Sequence, residues 1–229
     1  MSDAASVRTQ RKAAKRQKML DAAMTIFARQ GYTGASLDAI ASEAGVSKPT
    51  LYQYFGNKEK LFEAVLQQAA DQILMPFADS AESTSMVADM LNWSRNYANT
   101  ALSSKILSLG RLVMGEAERF PELGKHYYEN GPQQAFNGIM AYLESLADAG
   151  RLILEDSELA AHDFWSLILS GPREMCLLMP GLVMRSAEID RYIHNGLRVF
   201  LKAYSADPVV DLETLERLFL VEAAPISVA

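Results

Sequence analysis

Residues 48–58 read K-P-T-L-Y-Q-Y-F-G-N-K and place a lysine, a threonine, a glutamine and two tyrosines on one short helix. Leu51, Tyr54 and Phe55 fall at i, i+3 and i+4 and form its inner side, which leaves Lys48, Thr50, Tyr52 and Gln53 pointing outward. These side chains can read or grip nucleic acid. Lys48 can donate to guanine O6/N7, Thr50 can offer its methyl to thymine or its hydroxyl to either base, and Gln53 can pair with adenine. The phenols of Tyr52 and Tyr54 can reach phosphates. Phe55 reads as core, whereas Tyr54 suits either core or phosphate. Lys58 would add positive charge at the start of a following helix, beside amides that already favour anions.

Such a helix needs a scaffold. Leu37, Ile40, Ala41 and Ala44 recur at i, i+3, i+4 and i+7, one apolar face of a two-turn helix. Gly45 supplies the left-handed cap that ends it, and Ser47 is a good N-cap for the next helix. Two short helices around a Gly-containing turn describe a helix-turn-helix. The run S-K-P-T-L-Y-Q-Y-F-x-N-K-E, preceded by F-A-R-Q-G-Y-T-G-A-S-L-D-A-I-A, resembles the TetR family of bacterial repressors over residues 15 to 66. That resemblance implies DNA contacts at Thr33, Ser36, Lys48, Pro49, Thr50, Tyr52, Tyr54 and Lys58.

Charge supports a split chain. Residues 1 to 60 hold ten Lys/Arg against five Asp/Glu, a net of +5, and the remainder carries −11. Counterion release by Lys and Arg supplies most non-specific DNA affinity, so the first sixty residues are the expected footprint. No apolar run is long enough to span a bilayer, and the basic N-terminus has no apolar stretch behind it to make a signal peptide. With Cys176 the single cysteine, no internal disulfide forms, consistent with a cytoplasmic location.

Chemistry other than binding is poorly supplied. His126, His162 and His194 are far apart and none has the spacing of a zinc site, so no metal or cofactor is expected. Glu116 and Glu118 lie two apart and face different ways on a helix. No P-loop, G-x-S-x-G or G-x-G-x-x-G occurs. Cys176, within M-C-L-L-M, reads as a buried thiol, and no catalytic residue is assigned.

The rest of the chain is read as helix separated by breakers at Phe120-Pro121, Gly131-Pro132, Gly150, Pro180-Gly181 and Asp207-Pro208. Residues 1–14 read as a flexible basic arm, 15–60 as the helix-turn-helix DNA-binding domain, and 61–229 as a larger helical domain. The first helix runs from Lys15 to Gln30 and stops at Gly31. The fourth starts after Asn57 and runs to about Met75, where Pro76 breaks it. Further helices fall near Thr84–Leu102, Lys105–Arg119, Pro121–Asn130, Pro132–Ala149, Ser157–Met179, Ser186–Ser205 and Leu212–Val221, with a kink at Gly171-Pro172. The fold class is therefore all-α. Residues 105 to 170, including R-L-V-M-G-E-A-E-R-F-P-E-L-G-K-H-Y-Y-E-N-G-P, resemble the C-terminal domain of AefR-like TetR members. This second resemblance implies a ligand-binding and dimerisation domain.

Met90, Trp93, Tyr97, Arg111, Met114, Tyr128, Phe136, Met140 and Trp165 could line an apolar effector site, since methionine and aromatic side chains shape adaptable cavities. Each is also an ordinary core residue type, and Arg111 can instead pair with Glu116 or Glu118. The reading reached is a ligand-responsive repressor, a homodimer on a palindromic double-stranded DNA operator, released by a small, largely apolar effector. Its dimer interface is expected along Leu167, Ser170 and Glu174 with Ile193, Leu197, Phe200 and Leu201. The alternative is a helical small-molecule carrier or enzyme that retains a vestigial DNA-binding module; a pure carrier would not need the basic N-terminal half.

Overall fold

The computed structural model describes residues 2–73 and 85–223. Eleven α-helices make up the described residues: α1 Ser2–Gly34, α2 Leu37–Ala44, α3 Lys48–Phe55, α4 Lys58–Ile73, α5 Met86–Ala101, α6 Ser104–Glu116, α7 Pro121–Asn130, α8 Pro132–Asp148, α9 Ser157–Leu178, α10 Ser186–Tyr204 and α11 Pro208–Ala223. An isolated bridge between Leu152 and Ser205 is the extended pairing among them. The all-α expectation holds, and helix ends match the breaker residues to within a few positions. The expected stop of α4 at Met75 and Pro76, and the expected start at Thr84, lie outside the described residues.

Among the described residues, 2–72 with 104–132 form one compact unit, and 73, 85–103 and 133–223 form the other.

In the first unit, Met19, Leu20, Ala23, Ile26 and Phe27 of α1 are buried together with Ile40, Ala41, Ala44, Leu51, Leu61 and Phe62. Phe27 meets Phe62 edge-on at 5.0 Å, and Tyr32 packs on Phe62 and Phe120 at 5.1 Å each. Aromatic edge-to-face contacts of this kind add directional attraction to the area they bury. α1 differs from expectation at its start. Residues expected as a flexible arm are helical from Ser2 onward. The physical reason is composition: between Ser2 and Gln30 there is no Gly or Pro, and Ala, Arg, Lys and Gln are good helix formers. At Gly31 (φ 73°, ψ 168°) the backbone leaves the helical region, so the helix breaks where expected, and one more helical turn follows to Gly34.

In the second unit, α9 and α10 cross at Gly196, where a Cβ would stand 2.5 Å from the Leu167 carbonyl oxygen. Only glycine permits that approach. Phe164 and Ile168 of α9 pack with Phe200 and Leu197 of α10, all buried, and Phe164 and Phe200 meet edge-on at 5.1 Å. Arg95 of α5 grips Asp190 of α10 through Nε at 2.8 Å and Nη2 at 3.2 Å. This arrangement corrects the expected dimer stripe. Ile193, Leu197, Phe200 and Leu201 are fully buried within the protomer, so they are not free for a partner chain. A helix pattern reports which face is apolar but not whether its own chain covers it. α9 also runs through Pro172, a buried residue inside the helix.

Candidate nucleic-acid interface

The helix-turn-helix is built as its sequence prescribes. Ser36 caps α2, its Oγ accepting from Ala39 N at 3.1 Å, and Gly45 closes it in the left-handed region (φ 63°, ψ 37°). Ser47 caps α3 by accepting from Thr50 N at 3.3 Å, with Pro49 in the first turn. Leu51 and Phe55 are buried and fix the rotation of α3. Lys48, Pro49, Tyr52 and Gln53 are consequently exposed, while Thr50 and Tyr54 are half-buried. Of the four residues expected to point outward, Lys48, Tyr52 and Gln53 are exposed and Thr50 is half-buried.

Several of these side chains already have partners. Lys48 Nζ lies 2.7 Å from Asp38 Oδ2 of α2, and that hydrogen bond together with the carboxylate charge raises the ammonium pKa. The Thr50 hydroxyl lies 2.9 Å from Ser47 Oγ, and either can be the donor. Ser36 is exposed, and its capping oxygen still retains a proton to donate.

Lys58 is placed otherwise than expected. Its ammonium turns inward, donating to Tyr32 O at 2.9 Å and Ala35 O at 3.1 Å, with Thr33 O at 3.5 Å. It also sits 4.7 Å from the centre of the Tyr32 ring. Unpaired carbonyls at the end of a helix carry partial negative charge and attract a cation. All three ammonium hydrogens are thus used to tie α4 to the end of α1. Thr33 is exposed but likewise engaged, its N and Oγ1 donating to the Glu116 carboxylate of α6 at 3.3 Å each.

Sequence reasoning missed Asp38 and Glu116, because neither pairing follows from helical periodicity. It also missed a cleft of about 630 Å³ between α1 and α3, lined by Thr9, Lys12, Ala13, Arg16, Gln53 and Tyr54.

The candidate effector residues separate between the units. Trp93 and Tyr97 stack in parallel at 5.0 Å, and Trp165 adjoins Tyr97 at 4.9 Å, all in the second unit. Met90 is buried beside them in sequence on α5, and Phe136 packs on His162 at 4.3 Å. Met140 is half-buried on α8. Met114 and Tyr128 belong to the first unit and are 55% and 53% exposed. Arg111, also there, donates to Ser108 Oγ at 3.2 Å. Cys176 is buried. Among the described residues no three His, Cys, Asp or Glu side chains gather as metal ligands, and no helix is long and apolar enough to cross a membrane.

Comparison with known proteins bears on this geometry. The profile for bacterial regulatory proteins of the tetR family matches residues 19–65, which contain the whole helix-turn-helix. That for the C-terminal domain of AefR-like transcriptional repressors matches residues 88–206. The chain belongs to the TetR family. It is 41% identical over 185 residues to the HTH-type transcriptional activator FasR of Mycolicibacterium smegmatis, covering 80% of this chain and 74% of that one. The regulator RutR of Escherichia coli K12 is 37% identical over 112 residues, 45% of this chain and 53% of RutR. Among solved structures, a TetR-family regulator from Mesorhizobium loti superposes with a TM-score of 0.76 at 28% identity, covering 85% of this chain and 98% of that one. The flavonoid-responsive regulator FrrA superposes at 0.68 with 30% identity over 84% of this chain and 98% of that one. This TetR-family chain is a transcriptional regulator with a helix-turn-helix DNA-binding domain.

Proposed function

We propose that the chain is a ligand-responsive repressor that binds a palindromic operator as a homodimer and is released by a small, largely apolar effector. The observation carrying the DNA half of this reading is the exposed first turn and outer face of α3, with Lys48, Pro49, Tyr52 and Gln53 presented from a Ser47-capped helix in the basic part of the chain. In helix-turn-helix proteins the N-terminal residues of the second helix reach base edges. Residues 15–60 read the operator, and residues 61–229 carry effector binding and dimerisation.

Dimerisation is supported by apolar side chains left exposed at the end of α9 and beyond, Leu178 at 73%, Met179 at 47% and Val183 at 85%. Isolated apolar residues on a surface are ordinary, but a cluster marks an interaction site. A two-fold dimer would match a two-fold operator. Effector binding is supported by the Trp93–Tyr97–Trp165 cluster, and FrrA, one of the structural relatives, is described as flavonoid-responsive.

Both tryptophans of the chain lie in that cluster, so binding there has a direct optical readout. Titration with planar aromatic compounds should quench tryptophan emission over the same concentrations that release operator DNA. Coupling of about 1–3 kcal/mol would loosen DNA binding 5- to 150-fold. Release of DNA without any change in emission would move the effector site away from the cluster. FasR is named an activator, so transcription from the operator with and without protein decides the sign.

A further inference from the structure

The N-terminal part of α1 carries Arg8, Arg11, Lys12, Lys15 and Arg16, and it is helical throughout. Those positions are related by i+3, i+4, i+7 and i+8, which on a helix is a single face. All five side chains are exposed. Among the described residues none of the five is in an ion pair. The stripe is therefore a ridge of positive charge about 12 Å long.

The ridge does not stand alone. One edge of it, Lys12 and Arg16 with Thr9 and Ala13, forms one wall of the cleft whose other wall is Gln53 and Tyr54 of α3. Arg16 also lies 5.6 Å from the centre of the Phe55 ring, a cation–π contact that holds α1 to the recognition helix and sets the width of the cleft. With about 630 Å³, the cleft takes a length of sugar–phosphate backbone but not a whole duplex. Its walls offer an ammonium, a guanidinium, an amide and a phenol, all donors to phosphate oxygen.

We propose that the N-terminal segment of α1 is a rigid phosphate-binding ridge, and that one DNA strand flanking the half-site lies in the cleft between it and α3. A ridge of about 12 Å lying along one strand reaches about two of its phosphates. This rests on the reading that α3 enters the major groove, and it differs from a flexible arm in needing the helix intact. The contacts are to backbone, so they add affinity without sequence preference.

The test uses the full chain and an operator selected from random DNA. Arg8, Arg11, Lys12 and Lys15 are changed together to Gln, which leaves the Arg16–Phe55 contact in place. If two phosphates per bound chain are lost, the slope of log affinity against log salt becomes shallower by about 1.8 per chain. The ratio of operator to random-DNA affinity stays within about twofold, and circular dichroism is unchanged. A second variant, Ala14→Pro, breaks α1 while keeping every charge, and it should weaken binding as the Gln variant does. An unchanged slope for the Gln variant overturns the proposal and leaves the ridge for an acidic protein partner. A weakened Gln variant beside a fully active Ala14→Pro also overturns it, because the segment would then act as a flexible tether. Failure of the unmodified chain to select any operator would instead remove the DNA-binding reading on which the proposal rests.

Discussion

Replacing Lys58 by Met removes the ammonium and keeps most of the stem, so it isolates the three carbonyl contacts at the end of α1. The bonds to Tyr32 O at 2.9 Å and Ala35 O at 3.1 Å have good geometry, and that to Thr33 O at 3.5 Å is at the limit. A hydrogen bond to a charged donor contributes about 1.5–3 kcal/mol, and the contact with the Tyr32 ring adds about 0.5–1 kcal/mol. Lys58 is only half-buried, and water can replace it at the carbonyls, so the gross sum is discounted by about half. A loss of about 2–3 kcal/mol remains. For a chain of this size each kcal/mol lowers Tm by about 2–4 °C, which gives a drop of about 5–10 °C by calorimetry. The salt dependence of DNA binding, measured below the melting range, should keep its slope because the ammonium is not on a phosphate. A Lys58→Met protein with unchanged Tm and a slope shallower by about 0.9 per chain would refute the inward placement and restore a phosphate contact.

Three further outcomes follow from named contacts. Gly196→Ala would drive a Cβ to 2.5 Å from the Leu167 carbonyl oxygen; because both sides are backbone, the cost should reach the upper end of overpacking, about 3 kcal/mol, and wild-type stability in denaturant would show that the two helices do not cross so closely. Tyr204 donates to Asp163 Oδ2 at 2.6 Å, and this bond, followed by desolvation, pushes its pKa up to about 12. The folded state thus holds the phenol proton more tightly than the unfolded one, so this stabilisation is complete below about pH 10 and is lost as pH rises towards about 12; Tyr204→Phe should flatten that part of the stability–pH curve, and an unaltered curve would discount the bond. Asp38→Asn frees Lys48 from its carboxylate partner and removes a negative charge beside α3, so affinity for random DNA should rise a few-fold, whereas a fall would mean that Asp38 is needed to hold Lys48 in its reading position.

The local pattern made the helix-turn-helix legible. Ser36, Gly45 and Ser47 each have one stereochemical task, and each performs it, because caps and left-handed glycines are decided within a few residues. Helix order was legible for the same reason, since Pro121, Pro132 and Gly150 interrupt periodic segments. What depends on distant partners was not. Lys58 looks like a surface cation until the chain returns three carbonyls to it, and Thr33 looks free until Glu116 arrives from 83 positions away. The stripe of Ile193, Leu197, Phe200 and Leu201 has one appearance whether α9 of the same chain or a second chain covers it. Residues 2–14 differ from the expected flexible arm because their Ala, Arg, Lys and Gln content favours a helix and no Gly or Pro interrupts it. The separation of Met114 from Trp93 and Tyr97 into different units has no signal in amphipathic periodicity, which is blind to which core a helix joins.

Whether α3 reads a defined DNA sequence is decided by letting the protein select bound fragments from a random duplex library. The expected result is enrichment of an inverted repeat whose half-sites are centred about one helical turn apart or a multiple of it. Two chains should bind each site, with affinity at least about 10³-fold above random DNA at physiological salt. Lys48→Ala should lower the affinity for that site about tenfold or more and relax its base preference while leaving random DNA less affected. Binding that is equally strong to every sequence, or a Lys48→Ala protein that loses selected and random DNA to the same extent, would contradict sequence reading by α3.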